Sequence, residues 1–176
     1  AGEKISKSLG NVISPYELVK QYGLDQVRYF LMREVPFGND GDFSHQAMVN
    51  RMDGDLANDF GNLVQRVLSM VYKNCNARIP DISPNDLSIE DKDLLGSSCQ
   101  LLSTVRQRLE NQQFHLALEA IWQVIRSANG YVDSQAPWKL RTENPQRMTY
   151  VLYTLSESIR MVALLLQPFM PGAAAQ

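Results

Sequence analysis

At 176 residues the chain has the length of one domain, or of one domain with an appendage. Hydrophobic residues make up 44%, enough for a core, which excludes a disordered chain. The net charge of −2 excludes a surface basic enough to coat nucleic acid indiscriminately, but leaves room for a focused RNA site.

The chain opens on Lys4-Ile5-Ser6-Lys7-Ser8-Leu9-Gly10-Asn11, a polar loop between Gly2 and Gly10. Ser14-Pro15-Tyr16-Glu17 predicts a capping box with proline at the first helical position, and a helix that Gly23 stops after Tyr22. Asp25 is expected to cap the next helix, which turns Val27, Phe30, Leu31 and Val35 to a core and ends at Pro36. Phe37 to Asp42 is a loop by composition. Ser44 starts a helical region that loosens around Gly54. A long helix from about Asp55 to Lys73 follows, with Leu56, Phe60, Leu63, Val67 and Met70 at spacings of three and four.

Asn76 to Ser88, with Pro80 and Pro84, is a polar linker. Leu94, Leu95, Leu101, Leu102, Val105 and Leu109 mark another helix, which Asn111-Gln112-Gln113 interrupts. Phe114, Leu118, Ile121, Ile125 and Ala128 mark the next, broken at Ser134 to Trp138. A last helix from about Pro145 carries Val151, Leu155, Ile159, Val162 and Leu166, and Pro168 and Pro171 close it. No alternating run competes as a strand. The expectation is an all-α chain: a short head, residues 1–43, followed by an α-helical bundle over residues 44–176.

Cys75 and Cys99 have no close-spaced partner, so neither a zinc site nor a disulfide framework is read, and a reducing, cytosol-like compartment fits. His45 and His115 sit in no metal-ligand spacing, and His115 is expected to be structural. Asp53, Asp55 and Asp59 lack the pattern of a calcium loop and read as helix-start charges. No metal site is expected. No apolar run reads as long enough to span a bilayer, and the first residues hold no apolar signal segment, so no membrane partner is expected.

Two groups of residues carry chemistry. Lys4 and Lys7 offer ammonium groups and Ser6 and Ser8 hydroxyls, on a backbone that glycines leave free to close. Aimed at the charge that builds on a nucleotide phosphate, such groups lower the barrier to phosphoryl chemistry. Asn62 and Arg66, four residues apart, share one face of a helix and can read the edge of an unpaired base. Trp138 follows Pro137 at a helix break, where its ring can be exposed for stacking. Taken alone, Trp138 reads as core and the Asn62–Arg66 pair as a solvated face. Trp122, inside a regular helix, is the tryptophan expected in the core. Tyr29 and Phe30 read as packing, and Arg28 and Arg33 as residues that can face RNA.

Lys4 to Ser8, continued by Leu9-Gly10-Asn11 and Gly23 to Leu31, resembles the K-M-S-K-S loop of class I aminoacyl-tRNA synthetases, with Ile5 in place of methionine. Leu31 to Ser44, Asp59 to Arg66 and Asn129 to Leu140 are similar to stretches of the methionyl-tRNA synthetase family in the same order, and the likeness covers nearly the whole chain. The resemblance implies that Lys4, Ile5, Ser6, Lys7 and Ser8 form the ATP-binding loop, with Lys4 and Lys7 catalytic. It implies that Asn62, Arg66 and Trp138, with Pro137 positioning the ring, recognise a CAU anticodon.

On that resemblance the parent enzyme activates methionine with ATP and Mg2+ and transfers it to tRNA(Met), in the cytoplasm or in a mitochondrial or plastid matrix. DNA is not an expected partner. Ala1 then lies inside a longer chain. The H-I-G-H motif and Rossmann domain are not found in these residues, so the stretch alone is expected neither to bind a cofactor tightly nor to activate methionine. Two other readings stay open: a fragment of the leucine, valine or cysteine enzyme, and a helical module that binds RNA or protein.

Overall fold

The computed structural model describes residues 13–39 and 43–175. Pro15 takes the first helical position, where its missing N–H leaves nothing unpaired, and α1 runs Pro15–Tyr22. The expected capping box at Ser14 does not form, because its side chain makes no cap bond and the proline sets the start. Gly23 ends α1 at a φ of +93°, where glycine is favoured. α2, Leu24–Glu34, begins directly after it. Asp25 lies in its first turn and does not cap it; its carboxylate accepts from the Ala173 N–H at 2.6 Å.

Ser44 caps α3, His45–Arg51, by accepting from the Ala47 N–H at 3.0 Å. The loosening expected around Gly54 is a change of helix type. Met52–Gly61 winds as a π-helix and passes without a break into α4, Asn62–Asn74. A helix therefore runs from His45 to Asn74, and Asp53, Asp55 and Asp59 are not at a helix start.

Leu18, Val27, Phe30 and Met48 form a small core, with Phe43 and Met52 packed against it. Side chains from both sides of residues 43 and 44 thus meet there. The larger core lies in the bundle, where Trp122, Leu118, Ile121, Leu152, Leu155 and Leu166 are fully buried. Each such side chain contributes about 1.5–3 kcal/mol of transfer free energy. α2 serves both cores, since Phe30 enters the small one and Tyr29 the large one. Leu31, expected in a core, is 51% exposed, because it stands a further ~100° round the helix from Phe30.

After a linker holding one 3₁₀ turn, Pro84–Asp86, come α5, Ile89–Glu110, and α6, Phe114–Gln135. The capping box that Ser14 lacks is found at α5: Ser88 Oγ accepts from the Asp91 N–H, and Asp91 accepts from the Ser88 N–H. The short α7, Pro137–Glu143, leads to α8, Pro145–Leu166, and a final turn, α9, Pro171–Ala174. α6 is the central helix and packs against α2, α5 and α8.

α8 is long and apolar enough by composition to cross a membrane, which the sequence reading missed. Its apolar face is core: Val151, Leu152, Leu155, Val162 and Leu166 are all buried. Among the described residues there are helices and no strands, so the all-α expectation holds.

Polar bonds fasten the head to the bundle. Arg28 donates to the Phe169 carbonyl at 3.0 Å and to the Pro168 carbonyl at 2.7 Å. Arg33 pairs with Glu119 of α6, which Arg126 also holds at 2.6 Å. Arg28 and Arg33, read from sequence as able to face RNA, are engaged in joints inside the protein. Asp55 accepts from the Tyr29 hydroxyl at 2.6 Å and from Arg51 at 3.3 Å. Burial and this bond to Asp55 push the Tyr29 hydroxyl well above the usual phenol range.

Candidate nucleic-acid interface

Four residues were expected to read RNA, and three of them meet. α6 must end before α7 can turn away, and Ala136 makes that turn in the left-handed conformation, φ 44° and ψ 58°. This costs a non-glycine residue roughly 1–2 kcal/mol. Three bonds hold it: the Ala136 N–H donates to the Val132 carbonyl at 3.0 Å, and the Lys139 and Leu140 N–H groups donate to the Ala136 carbonyl at 2.8 and 3.3 Å. Pro137 then takes the first position of α7 and is buried, while Trp138 projects with 46% of its surface exposed. The proline packs inward, and the same turn brings the indole to the surface.

Arg66 reaches this turn from α4. Its guanidinium carbon lies 5.5 Å from the Trp138 ring centre, and its Nη2 donates to Asp133 of α6 at 2.8 Å. Such a cation over an indole is worth about 0.5–1 kcal/mol at an exposed site. Arg66, Val67, Met70, Val132, Pro137, Trp138, Leu152 and Leu155 line a cleft of about 120 Å³. That is below the size of a pocket for a drug-sized ligand and close to the ~150 Å³ cavity that holds a single benzene ring. The cleft has an apolar floor, a tryptophan on one wall and a guanidinium at the rim. This arrangement can accept a flat ring and donate hydrogen bonds to its edge.

Asn62 does not line the cleft. It is exposed one turn earlier on α4, at the first residue after the π-helix. The Asn129 side chain fixes that start by donating to the Asp59 carbonyl at 3.0 Å and to the Ile125 carbonyl at 3.2 Å. Burial, and next the charge of Asp55, raise the Asp59 carboxyl above the ordinary range, with Arg126 opposing. Lys4, Ile5, Ser6, Lys7 and Ser8, expected to form the phosphate loop, lie outside the described residues.

Sequence reasoning missed the support behind the turn. Asp91, fully buried on α5, accepts from Arg147 Nη1 at 2.5 Å and Nη2 at 2.8 Å, and from the Tyr131 hydroxyl. Arg147 Nη2 also donates to Gln135, the last residue of α6, at 2.7 Å. Burial alone would raise the Asp91 carboxyl. The bonds from Arg147, Tyr131 and the Ser88 N–H outweigh it and hold the carboxyl below its usual range. The only sequence signal was Ser88-x-x-Asp91, a capping-box pattern that tells nothing of Arg147. Trp122, as expected, is 0% exposed; it packs on Tyr29 with ring centres 4.8 Å apart.

Comparison with known proteins gives these residues a context. Residues 1–68 match the model of class I tRNA synthetases of the methionine type, and residues 83–176 that of the anticodon binding domain of methionyl tRNA ligase. A methionine–tRNA ligase of Brucella suis is 54% identical over 173 residues, 98% of this chain and 33% of that protein. The solved Mycobacterium tuberculosis methionyl-tRNA synthetase in complex with methionyl-adenylate superposes with a TM-score of 0.93 at 48% identity, covering 99% of this chain and 35% of that one. The LeuRS–tRNA–LeuAMS complex of Agrobacterium radiobacter shares the fold at a TM-score of 0.71 and 22% identity, covering 98% of this chain and 20% of that one. The chain spans about a third of the length of the curated relatives it matches. It belongs to the methionine–tRNA ligase family, with residues 83–176 matching the anticodon-binding domain of that family.

Proposed function

We propose that this chain reads the CAU anticodon of tRNA(Met) within an enzyme that activates methionine with ATP and Mg2+ and ligates it to that tRNA. The carrying observation is the Arg66–Trp138 stack at the rim of the apolar cleft. An unpaired base stacks on the exposed part of the indole, and the Arg66 fork donates to its edge. Asn62, with one amide donor group and one acceptor, reads a neighbouring base from the same side of α4. Specificity follows because a base with the wrong edge leaves these polar groups unpaired.

Lys4 and Lys7 hold the ATP phosphates. Their ammonium groups stabilise charge on the departing pyrophosphate, while Ile5 anchors the loop and Ser6 and Ser8 donate to phosphate oxygens. Support comes from the match of residues 1–68 to class I synthetases of the methionine type, and from the adenylate bound to the Mycobacterium relative.

Titration of this chain with an anticodon stem-loop tests the RNA end. The CAU loop binds, and loops with the triplet replaced lose affinity by at least about tenfold, or about 1.4 kcal/mol. Equal affinity for all loops would sink the reading.

A further inference from the structure

The indole of Trp138 is nearly half exposed, so packing holds only part of it. The residue before its helix stands in a conformation that alanine adopts at a cost. Something must hold that turn. Besides its backbone bonds, one side chain reaches it from across α7: Arg147, in the first turn of α8, donates to Gln135 Oε1, the last side chain before Ala136. α7, with Pro137 and Trp138, is the loop closed between those two residues. Arg147 is itself fixed, since both its terminal nitrogens donate to the buried Asp91. Its backbone N–H donates to Asn144, which caps α8 at 3.0 Å. The clasp is therefore anchored in the core on one side and meets the turn on the other.

We propose that Gln135 is a positioning residue for RNA recognition: by accepting from the Asp91-anchored Arg147 it locks the Ala136 turn, and so sets the angle at which Trp138 meets a base. The proposal rests on the reading of Trp138 as the stacking residue. Gln135 touches no base itself. Asp91 and Arg147 hold the bundle together whether or not RNA is present, and Gln135 is the point at which that support is passed to the site.

The test uses the whole chain labelled with 5-fluorotryptophan, whose two tryptophans give two fluorine resonances. Gln135→Ala removes the acceptor and leaves the Asp91–Arg147 pair in place. The Trp138 resonance should shift or broaden while that of Trp122 stays. Affinity for the CAU stem-loop should fall about fivefold, the low end of the about 5- to 150-fold that losing one base stack costs. Gln135→Glu keeps an acceptor for Arg147 and should restore both readouts; Gln135→Leu, which keeps the bulk and removes the acceptor, carries the test if the alanine variant fails to fold.

Wild-type affinity in Gln135→Ala, or an equal loss in Gln135→Glu, overturns the positioning role. Trp138→Ala in parallel separates the two ideas. If it weakens binding while Gln135→Ala does not, the clasp fails and the stacking site stands. If it binds like wild type, the stacking reading fails and the clasp falls with it.

Discussion

The guanidinium of Arg66 lies 5.5 Å from the centre of the Trp138 indole, on a helix that meets the ring only through the fold. The two line one cleft, and Asp133 accepts a hydrogen bond from the arginine. Trp138→Ala should weaken binding of the CAU stem-loop by about 1–3 kcal/mol. Because the ring is so exposed, the melting temperature should hardly move. Calorimetric titration read beside thermal melting checks both parts; unchanged affinity in a folded variant counts against the site.

The other tryptophan gives the opposite result. Trp122 is completely buried and packs at a tilt on Tyr29, joining α6 to α2. Trp122→Ala should cost about 3–5 kcal/mol through the cavity it opens. Urea unfolding would show this as a lowered midpoint, and a midpoint equal to that of Trp138→Ala would contradict the packing described.

Asp91 makes stability depend on pH in a defined direction. Its carboxyl titrates below its usual range in the folded protein, while the unfolded value is about 3.9. Between those values the unfolded chain binds more protons, so stability rises with pH there. The contribution is complete above about pH 4 and is lost as pH falls through the lowered native value. Asp91→Asn should cost about 3 kcal/mol at neutral pH, since it leaves Arg147 without its charged partner. Its stability should also fall less steeply in acid. Urea midpoints from about pH 3 to pH 7 decide the matter; parallel curves for the two proteins would refute it.

Arg28 ties α2 to the end of α8 through two backbone carbonyls. Arg28→Ala should cost about 2 kcal/mol, in the range for hydrogen bonds to a charged group. The loss should be local: amide exchange should speed up over residues 167–175 while the α6 amides stay protected. Uniform acceleration along the whole chain would show that Arg28 supports the entire fold and not this joint.

Helical periodicity carried most of the fold, because apolar residues at three and four positions apart face the core wherever a helix packs on one side. Leu63, Val67, Leu94, Leu101 and Leu155 are buried as their spacing implies. α2 departs from it, because it touches two cores and so buries Tyr29 beside Phe30. Ser14 failed as a cap where Ser88 succeeded. Both begin a pattern of serine with an acid three residues on, but only Ser88 has its acid locked from behind, by Arg147. Asn62, Arg66, Pro137 and Trp138 were named through resemblance, and the last three meet at one cleft. Asp133, Gln135 and Arg147 were not named, since their roles rest on pairings between distant helices that no local pattern encodes.

The π-helix of residues 52–61 has a consequence for register. Each α-helical residue turns the chain by about 100°, and a π-helix, bonding i to i+5, turns it by less. The segment therefore acts as a phase shifter between α3, whose Met48 points into the small core, and α4, whose Asn62 and Arg66 point outward. Rewound as α-helix, or shortened by one residue, it would leave every helix in place by composition and yet rotate Arg66 away from Trp138. The meeting of Arg66 with Trp138 thus depends on an angular offset stored in ten residues that do not line their cleft.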